Sequence, residues 1–251
     1  MQIITGKSIQ EQLAYGPLHF FHRQLPAPPR VSNLPPEEEI HRFHAAQQRA
    51  VRSLDRLHER AVQEVGLHAA SIFAIHAMLL EDNSYVDSIL DCLENHGTTA
   101  EWAIQQVSNS FSTAFADMDS PYMQARGADI RDISNCLLRH LSGLPQPQLL
   151  EDRAAILVCD ELLPSEMLGL DRHKLLGLVA WNGSTDSHTA MLLRLMKIPA
   201  LAQVKISHHW DGHMALLDGF SQSLFLDPEP AFLEERGIRI QRERPLAGSV
   251  R

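Results

Sequence analysis

Six consecutive residues, Gly183-Ser184-Thr185-Asp186-Ser187-His188, carry the side chains best suited to chemistry. A neutral imidazole is a good nucleophile toward phosphorus, and the phosphoramidate it forms keeps a high transfer potential. The reaction needs the ring neutral and its other nitrogen held by an acceptor. It also needs donors for the phosphoryl oxygens, and Ser184, Thr185, Ser187 and Thr189 supply hydroxyls. Gly183 allows close backbone approach. Arg194 follows about a turn and a half later and can approach only if its helix face permits.

The flanking runs must position these groups. Leu175 to Trp181 (LLGLVAW) reads as a buried strand, and Thr189 to Met196 (TAMLLRLM) reads as a helix with Ser187 as its N-cap. His188 then sits in the first helical turn, just past the carboxyl end of a strand. Ligands of parallel α/β layers gather there, and a helix N-terminus offers free N–H donors to a phosphate. Spacing alone leaves two readings open: a capped helix with an exposed first-turn histidine, or a phosphate-accepting histidine.

Composition narrows the class. The chain has 251 residues, 44% hydrophobic and 21% charged, as in an ordinary soluble protein of one large or two small domains. No apolar run reaches the length that spans a bilayer, and the N-terminus lacks the pattern of a signal peptide. Cys92, Cys136 and Cys159 are widely spaced, which fits a reducing cytosol and neither a disulfide framework nor a zinc site. A net charge of −9 argues against nucleic acid and suits a basic protein partner.

Periodicity divides the chain. Residues 1–30 are irregular, with brief strands at Gln2–Thr5 and near Leu18–His22. A helical region follows, broken at Gly66, Gly97, Pro121 and Gly143. It predicts helices over Glu37–Val65, Ala69–Leu80, Ser84–Asn95, from a Thr98 cap with Glu101 as a capping box to about Met118, and from Pro121 to about Leu141. Short connections make an antiparallel bundle. After Leu144 the texture becomes α/β, with strands at Ala154–Val158 (with Leu149–Leu150 a possible addition), Gly177–Ala180, Ile198–Gln203, Met214–Leu217 and Ser223–Leu226. The expected fold class is multidomain α+β. Residues 1–30 and 145–230 form an α/β domain, residues 31–144 form an inserted helical bundle, and residues 231–251 form a short helix and charged tail.

Four motifs share a resemblance. Gly183…Ser187-His188-Thr189-Ala190-Met191-Leu192-Leu193-Arg194 with Lys197-Ile198-Pro199-Ala200-Leu201 is similar to the active-site signature of enzyme I of the bacterial phosphoenolpyruvate:sugar phosphotransferase system. Phe73, His76 and Met78-Leu79-Leu80-Glu81-Asp82 resemble its IF-x-x-H-x-MLLED segment. Tyr122, Arg126, Asp129-Ile130-Arg131-Asp132-Ile133 resemble its Y-x-x-x-R-x-x-D-V-R-D-I helix, and Gly212 to Gly219 resemble the turn of its swivelling domain. The resemblance, over about residues 36–230, implies a swivelling phosphohistidine domain with His188 as carrier and Gly183, Ser184, Ser187 and Thr189 at the phosphate. It also implies that the helical domain docks HPr, a small phosphocarrier, through Phe73, His76, Met78, Leu79, Asp82, Tyr122, Arg126 and Arg131. Read as residues alone, Phe73, Met78 and Leu79 equally suit the bundle core, and Arg126 and Arg131 suit pairing with Asp129 and Asp132.

The departures matter. The family's double glycine is Gly183-Ser184 here, its Arg-Thr is Thr185-Asp186, and the threonine that bonds its histidine is Leu163, in Leu163-Pro164-Ser165-Glu166. Asp186 disfavours an anion unless it turns away or orients the imidazole. The family's phosphoenolpyruvate-binding barrel, to which Mg²⁺ would belong, has no counterpart in these residues, so no cofactor or metal is expected in this chain. The Gly-Ser pair resembles the truncated enzyme I-like domain in the phosphoryl-transfer subunit of the phosphotransferase-dependent dihydroxyacetone kinase. The alternatives are the N-terminal half of a true enzyme I and a binding module with a degenerate site. The run His208-His209-Trp210-Asp211-Gly212-His213 also resembles a metal cluster by composition. A cytoplasmic monomer that spans no membrane is the expectation.

Overall fold

The computed structural model describes residues 1–23, 27–145, 147–150 and 153–238. The charged tail expected from Arg239 onward lies outside the described residues.

Five helices form the bundle: α1 (Pro36–Val65), α2 (Leu67–Leu80), α3 (Asn83–His96), α4 (Ala100–Ala116) and α5 (Pro121–Ser142). Their boundaries follow local chemistry. Pro36 and Pro121 open helices at a position where a missing N–H costs nothing. Gly97 and Gly143 close α3 and α5 in the left-handed conformation that favours glycine, with φ of 58° and 64°. The cap of α4 differs from expectation by one residue. Thr99 accepts from the Trp102 N–H, whereas Thr98 turns inward and donates to the Cys92 carbonyl. Glu101 pairs with Arg42 on α1 and so leaves the expected capping box.

Along the chain, the bundle is inserted between two strands that pair as neighbours in one sheet. The strands are β1 (Gln2–Thr5), β2 (Lys7–Gln10), β3 (Leu13–Phe20), β4 (Ala155–Cys159), β5 (Leu175–Ala180), β6 (Ala200–Ala202), β7 (Met214–Asp218) and β8 (Ser223–Leu226), in the order β1-β8-β7-β3-β4-β5-β6-β2. Strands β3 to β6 run parallel, and the outer pairs are antiparallel. Two features depart from the sequence reading. Strand β2 is an addition, because its alternation (KSIQ) is short and polar. Strand β3 begins five residues before the expected Leu18, since Gly16-Pro17 reads as a breaker yet pairs with Ala215 and Met214 of β7. Leu149 and Leu150 are buried but add to no strand.

Alternation along β4 builds the two sheet faces. Ala155, Leu157 and Cys159 point into a core continuous with the bundle, which includes Phe43, Leu54, Phe73 and Leu137. Ile156 and Val158 point into a second core with Leu18, Trp210 and Leu217. Three short helices complete the described chain: α6 (Pro164–Met167), α7 (His188–Leu195) and α8 (Pro230–Glu235). Helix α6 packs on α5 and α7 packs on α2, so the elements after β4 and β5 meet the bundle.

Candidate functional site

His188 is the first residue of α7, beyond the carboxyl end of β5. Gly183 turns the loop with φ of 108°, a conformation that strains any residue with a Cβ. Ser184 holds the rest of the loop together. Its carbonyl accepts from the Ser187 N–H and Oγ, and its hydroxyl accepts from the Asp186 N–H. Ser187 caps α7 by accepting from the Ala190 N–H at 3.2 Å. Thr189 is a correction. Its hydroxyl is buried and donates to the Leu162 carbonyl at 2.8 Å, so it braces the loop before α6 and does not face a phosphate. Arg194 donates to the carbonyls of Ile9 and Thr185 and so fastens the loop to β2.

The His188 ring projects onto α5. Its Nδ1 lies 3.0 Å from Asp129 Oδ1, and its side chain is 21% exposed. Arg126 Nη1 stands 3.3 Å from His188 Nδ1, 3.1 Å from Nε2 and 3.0 Å from Asp129 Oδ2. A carboxylate only accepts and a guanidinium only donates. The arrangement therefore places a proton on Nδ1 and leaves Nε2 unprotonated, with Arg126 Nη1, within 3.3 Å of both ring nitrogens, over the face of the ring. The Arg126 guanidinium also covers the Tyr122 ring, 4.5 Å from its centroid, and donates to the Tyr122 hydroxyl. Asp186 is exposed, so the acid that orients the imidazole is Asp129. Leu163 is buried and presents no acceptor; its N–H donates to Glu166.

Behind Asp129 lies His76, with no exposed surface. Its Nε2 is 3.3 Å from Asp129 Oδ1, and its Nδ1 is 3.3 Å from Asp132 Oδ2. Neither contact has good hydrogen-bond alignment, so ionic attraction carries them. Burial opposes a charge on His76, but the two carboxylates override it and raise the imidazolium to about 9. Burial also opposes the charge on Asp129, and contacts with His188 and His76 hold its carboxyl well below the usual carboxylate range. Asp132 accepts from the Ser165 N–H and hydroxyl at the start of α6.

The other expected residues separate into two groups. Met78 is 71% exposed and Tyr122 is 61% exposed; Asp82 is exposed while capping α3, and Leu79 is partly buried against the core. Leu67 and Ile75 join Met78 and Tyr122 among the exposed apolar side chains of the bundle. Phe73 and His76 are corrections as docking residues: both are 0% exposed, because each faces the bundle interior. Arg131 pairs bidentately with Glu161, not with Asp132. A cleft of about 300 Å³ beside this pair is lined by Gly183, Ser184, Ser187 and Gln203. His208–Trp210 forms a 3₁₀ turn, His209 contacts Ser207 and His213 contacts Asp227. Among the described residues no cluster of three or more such side chains could hold a metal, and no helix is long and apolar enough to cross a membrane.

A helical bundle inserted along the chain between paired strands of a mixed sheet, with a histidine at a strand–helix join, is the arrangement of a PEP-utilising enzyme. Residues 5–126 match the model of the PEP-utilising enzyme N-terminal domain, and residues 151–222 match that of the mobile domain. The chain belongs to this family, in its enzyme I branch. It is 30% identical over 203 residues to phosphoenolpyruvate-protein phosphotransferase of Bacillus subtilis (79% of this chain, 35% of that protein), and 32% identical over 196 residues to that of Priestia megaterium (76% and 34%). It thus spans about a third of the length of the curated relatives it matches. An Enzyme I solution structure (nEIt) matches with a TM-score of 0.68 at 22% identity, over 93% of this chain and 96% of that one. The N-terminal domain of Enzyme 1 - Nitrogen matches with a TM-score of 0.59 at 26% identity, over 93% and 98%.

Proposed function

We propose that this chain carries a phosphoryl group on His188 and exchanges it with the histidine of an HPr-like partner. The observation that carries this reading is the His188 ring itself: Nδ1 is tied to Asp129, Nε2 carries no proton, and the Arg126 guanidinium lies against the ring at the start of a helix. The Nε2 lone pair attacks phosphorus, and the P–N bond to the donor imidazole breaks. A donor ring with a proton on its other nitrogen leaves as neutral imidazole. His188 keeps its Nδ1 proton, and the positive charge that develops on its ring faces the Asp129 carboxylate. Arg126 offsets the charge of the arriving phosphoryl group.

The partner docks on the bundle through Met78, Leu79, Asp82, Tyr122, Arg126 and Arg131, a reading that the exposure of Met78 and Tyr122 supports. A net charge of −9 suits a basic partner. The Gly183-Ser184 pair favours a relay of the dihydroxyacetone kinase type, in the cytoplasm.

Incubation with phosphorylated HPr tests the reading. The expected result is acid-labile, base-stable phosphate on His188. Label that persists in His188→Ala overturns the assignment, and partner binding without any phosphate movement favours a non-catalytic docking module.

A further inference from the structure

We propose that His76 is a positioning residue for His188: seated between Asp129 and Asp132, its ring pins the Asp129 carboxylate against His188 Nδ1 and so fixes the tautomer that leaves Nε2 bare. The proposal deepens the phosphate-carrier reading and takes its chemical meaning from it.

The groups form one continuous chain. Asp132 reaches His76 Nδ1, His76 Nε2 reaches Asp129 Oδ1, and the same Oδ1 accepts from His188 Nδ1. Each end is anchored. Ser165 of α6 donates both its N–H and its hydroxyl to Asp132, and Arg126 holds Asp129 Oδ2. The chain thus crosses from α6 through α5 and α2 to α7, and among the described residues the charged groups that act on His76 are its two carboxylates, Asp129 and Asp132. Phe73 closes the apolar side, its ring edge-on to His76 at 6.2 Å between centroids.

Charge balance shows what His76 does. Asp129, Asp132 and His76 are 4%, 0% and 0% exposed, so unpaired charge among them is costly. With His76 as imidazolium, two carboxylates meet two cations, His76 and Arg126, and the cluster is neutral. With His76 neutral, the cluster is left with an excess negative charge beside the atom that must meet a phosphoryl group. The raised affinity of His76 for its proton, to about 9, agrees with the first state. Leu163 presents no acceptor to the ring, and among the described residues the acceptor at Nδ1 is the carboxylate that His76 contacts.

The test reads the unphosphorylated ring. Two-bond ¹H–¹⁵N spectra of the ¹⁵N-histidine-labelled chain report which nitrogens carry protons, with His188→Ala and His76→Gln supplying the assignments. At pH 7.5, His76 is expected to be doubly protonated and His188 to be the Nδ1–H tautomer. In His76→Gln, His188 is expected to shift toward the Nε2–H tautomer, and phosphoryl transfer from phosphorylated HPr to slow roughly 10- to 100-fold. A neutral His76 at pH 7.5 in the wild-type chain, or an unchanged His188 tautomer in His76→Gln, overturns the proposal. If His76→Gln does not fold, the wild-type spectrum alone decides it. Absence of phosphate on His188 with the expected tautomers would sink the carrier reading and leave the positioning role standing.

Discussion

Asp129 and His188 are joined by a 3.0 Å contact between Oδ1 and Nδ1 that links the bundle to the α/β domain. The carboxylate fixes the ring and faces the positive charge that grows on it during transfer. Asp129→Asn can keep an acceptor at Nδ1 but loses the charge. The expected outcome is a fall in single-turnover phosphorylation of roughly 10²–10⁴-fold. Rapid-quench labelling with phosphorylated HPr measures it, and an unchanged rate would remove Asp129 from the mechanism.

Arg126 makes a different contribution. It stacks on Tyr122, holds Asp129 and lies against the His188 ring. Arg126→Gln is expected to lower the transfer rate roughly 10²–10³-fold, as loss of a donor at a developing anion does. Arg126→Lys restores part of the rate, since charge returns without the fork that binds carboxylate and phosphate together. Equal rates for the two variants would show that geometry, not charge, is what Arg126 supplies.

The buried His76 gives stability a definite pH slope. Its folded value of about 9 lies above the unfolded value of 6.5. The folded state therefore holds the proton more tightly. The stabilisation is complete below about pH 6.5 and is lost as pH rises through about 9, with a size on the order of 3 kcal/mol. Thermal melts from pH 6 to 9.5 should show a falling Tm in the wild-type chain and a flatter profile in His76→Gln. His140, whose value burial lowers, acts in the opposite sense, its contribution to stability rising with pH.

Much of this architecture was legible in the sequence. The long apolar spacing of α1 and the proline and glycine signals at helix ends fixed the bundle to within a few residues, because those signals act locally. His188 was legible for the same reason, since a strand, a cap and a helix meet in one short stretch. Its partners were not. Asp129 and Asp132 lie three apart on α5, so both face the same side of the helix. That they face His76 and not solvent depends on how α2 and α5 pack. His76 read as a docking residue because a histidine in an apolar run carries no mark of the two acids folded against it. Edge strand β2 escaped because its pairing with β6 comes from across the fold.

The capping hydroxyl of Ser187 offers a local test. Ser187→Ala leaves the Ala190 N–H without its partner at the start of α7. A cost of about 1 kcal/mol is expected, which lowers Tm by about 2–4 °C in a chain of this size. Calorimetry checks it, and a loss several times larger would mean the loop from Gly183 depends on the same hydroxyl.

The docking surface can be separated from the site. Met78 is 71% exposed, so Met78→Glu should leave Tm nearly unchanged. Binding of an HPr-like partner should weaken about tenfold, as for a central interface residue. Isothermal titration measures this, and unaltered affinity would move the docking surface elsewhere on the bundle.

The insertion of the bundle between β3 and β4 has a kinetic consequence. These strands are parallel neighbours, with Leu18 opposite Ile156, yet the chain between Phe20 and Ala155 passes through all five long helices. Closing so long a loop in an unstructured chain is entropically slow. Once the helices have collapsed, the two strand ends are held near one another and the closure becomes short. The order of assembly follows: the bundle forms early from local contacts, and the central strands pair afterward on it as a template. The contact between Asp129 and His188, which needs both parts, is among the last to form.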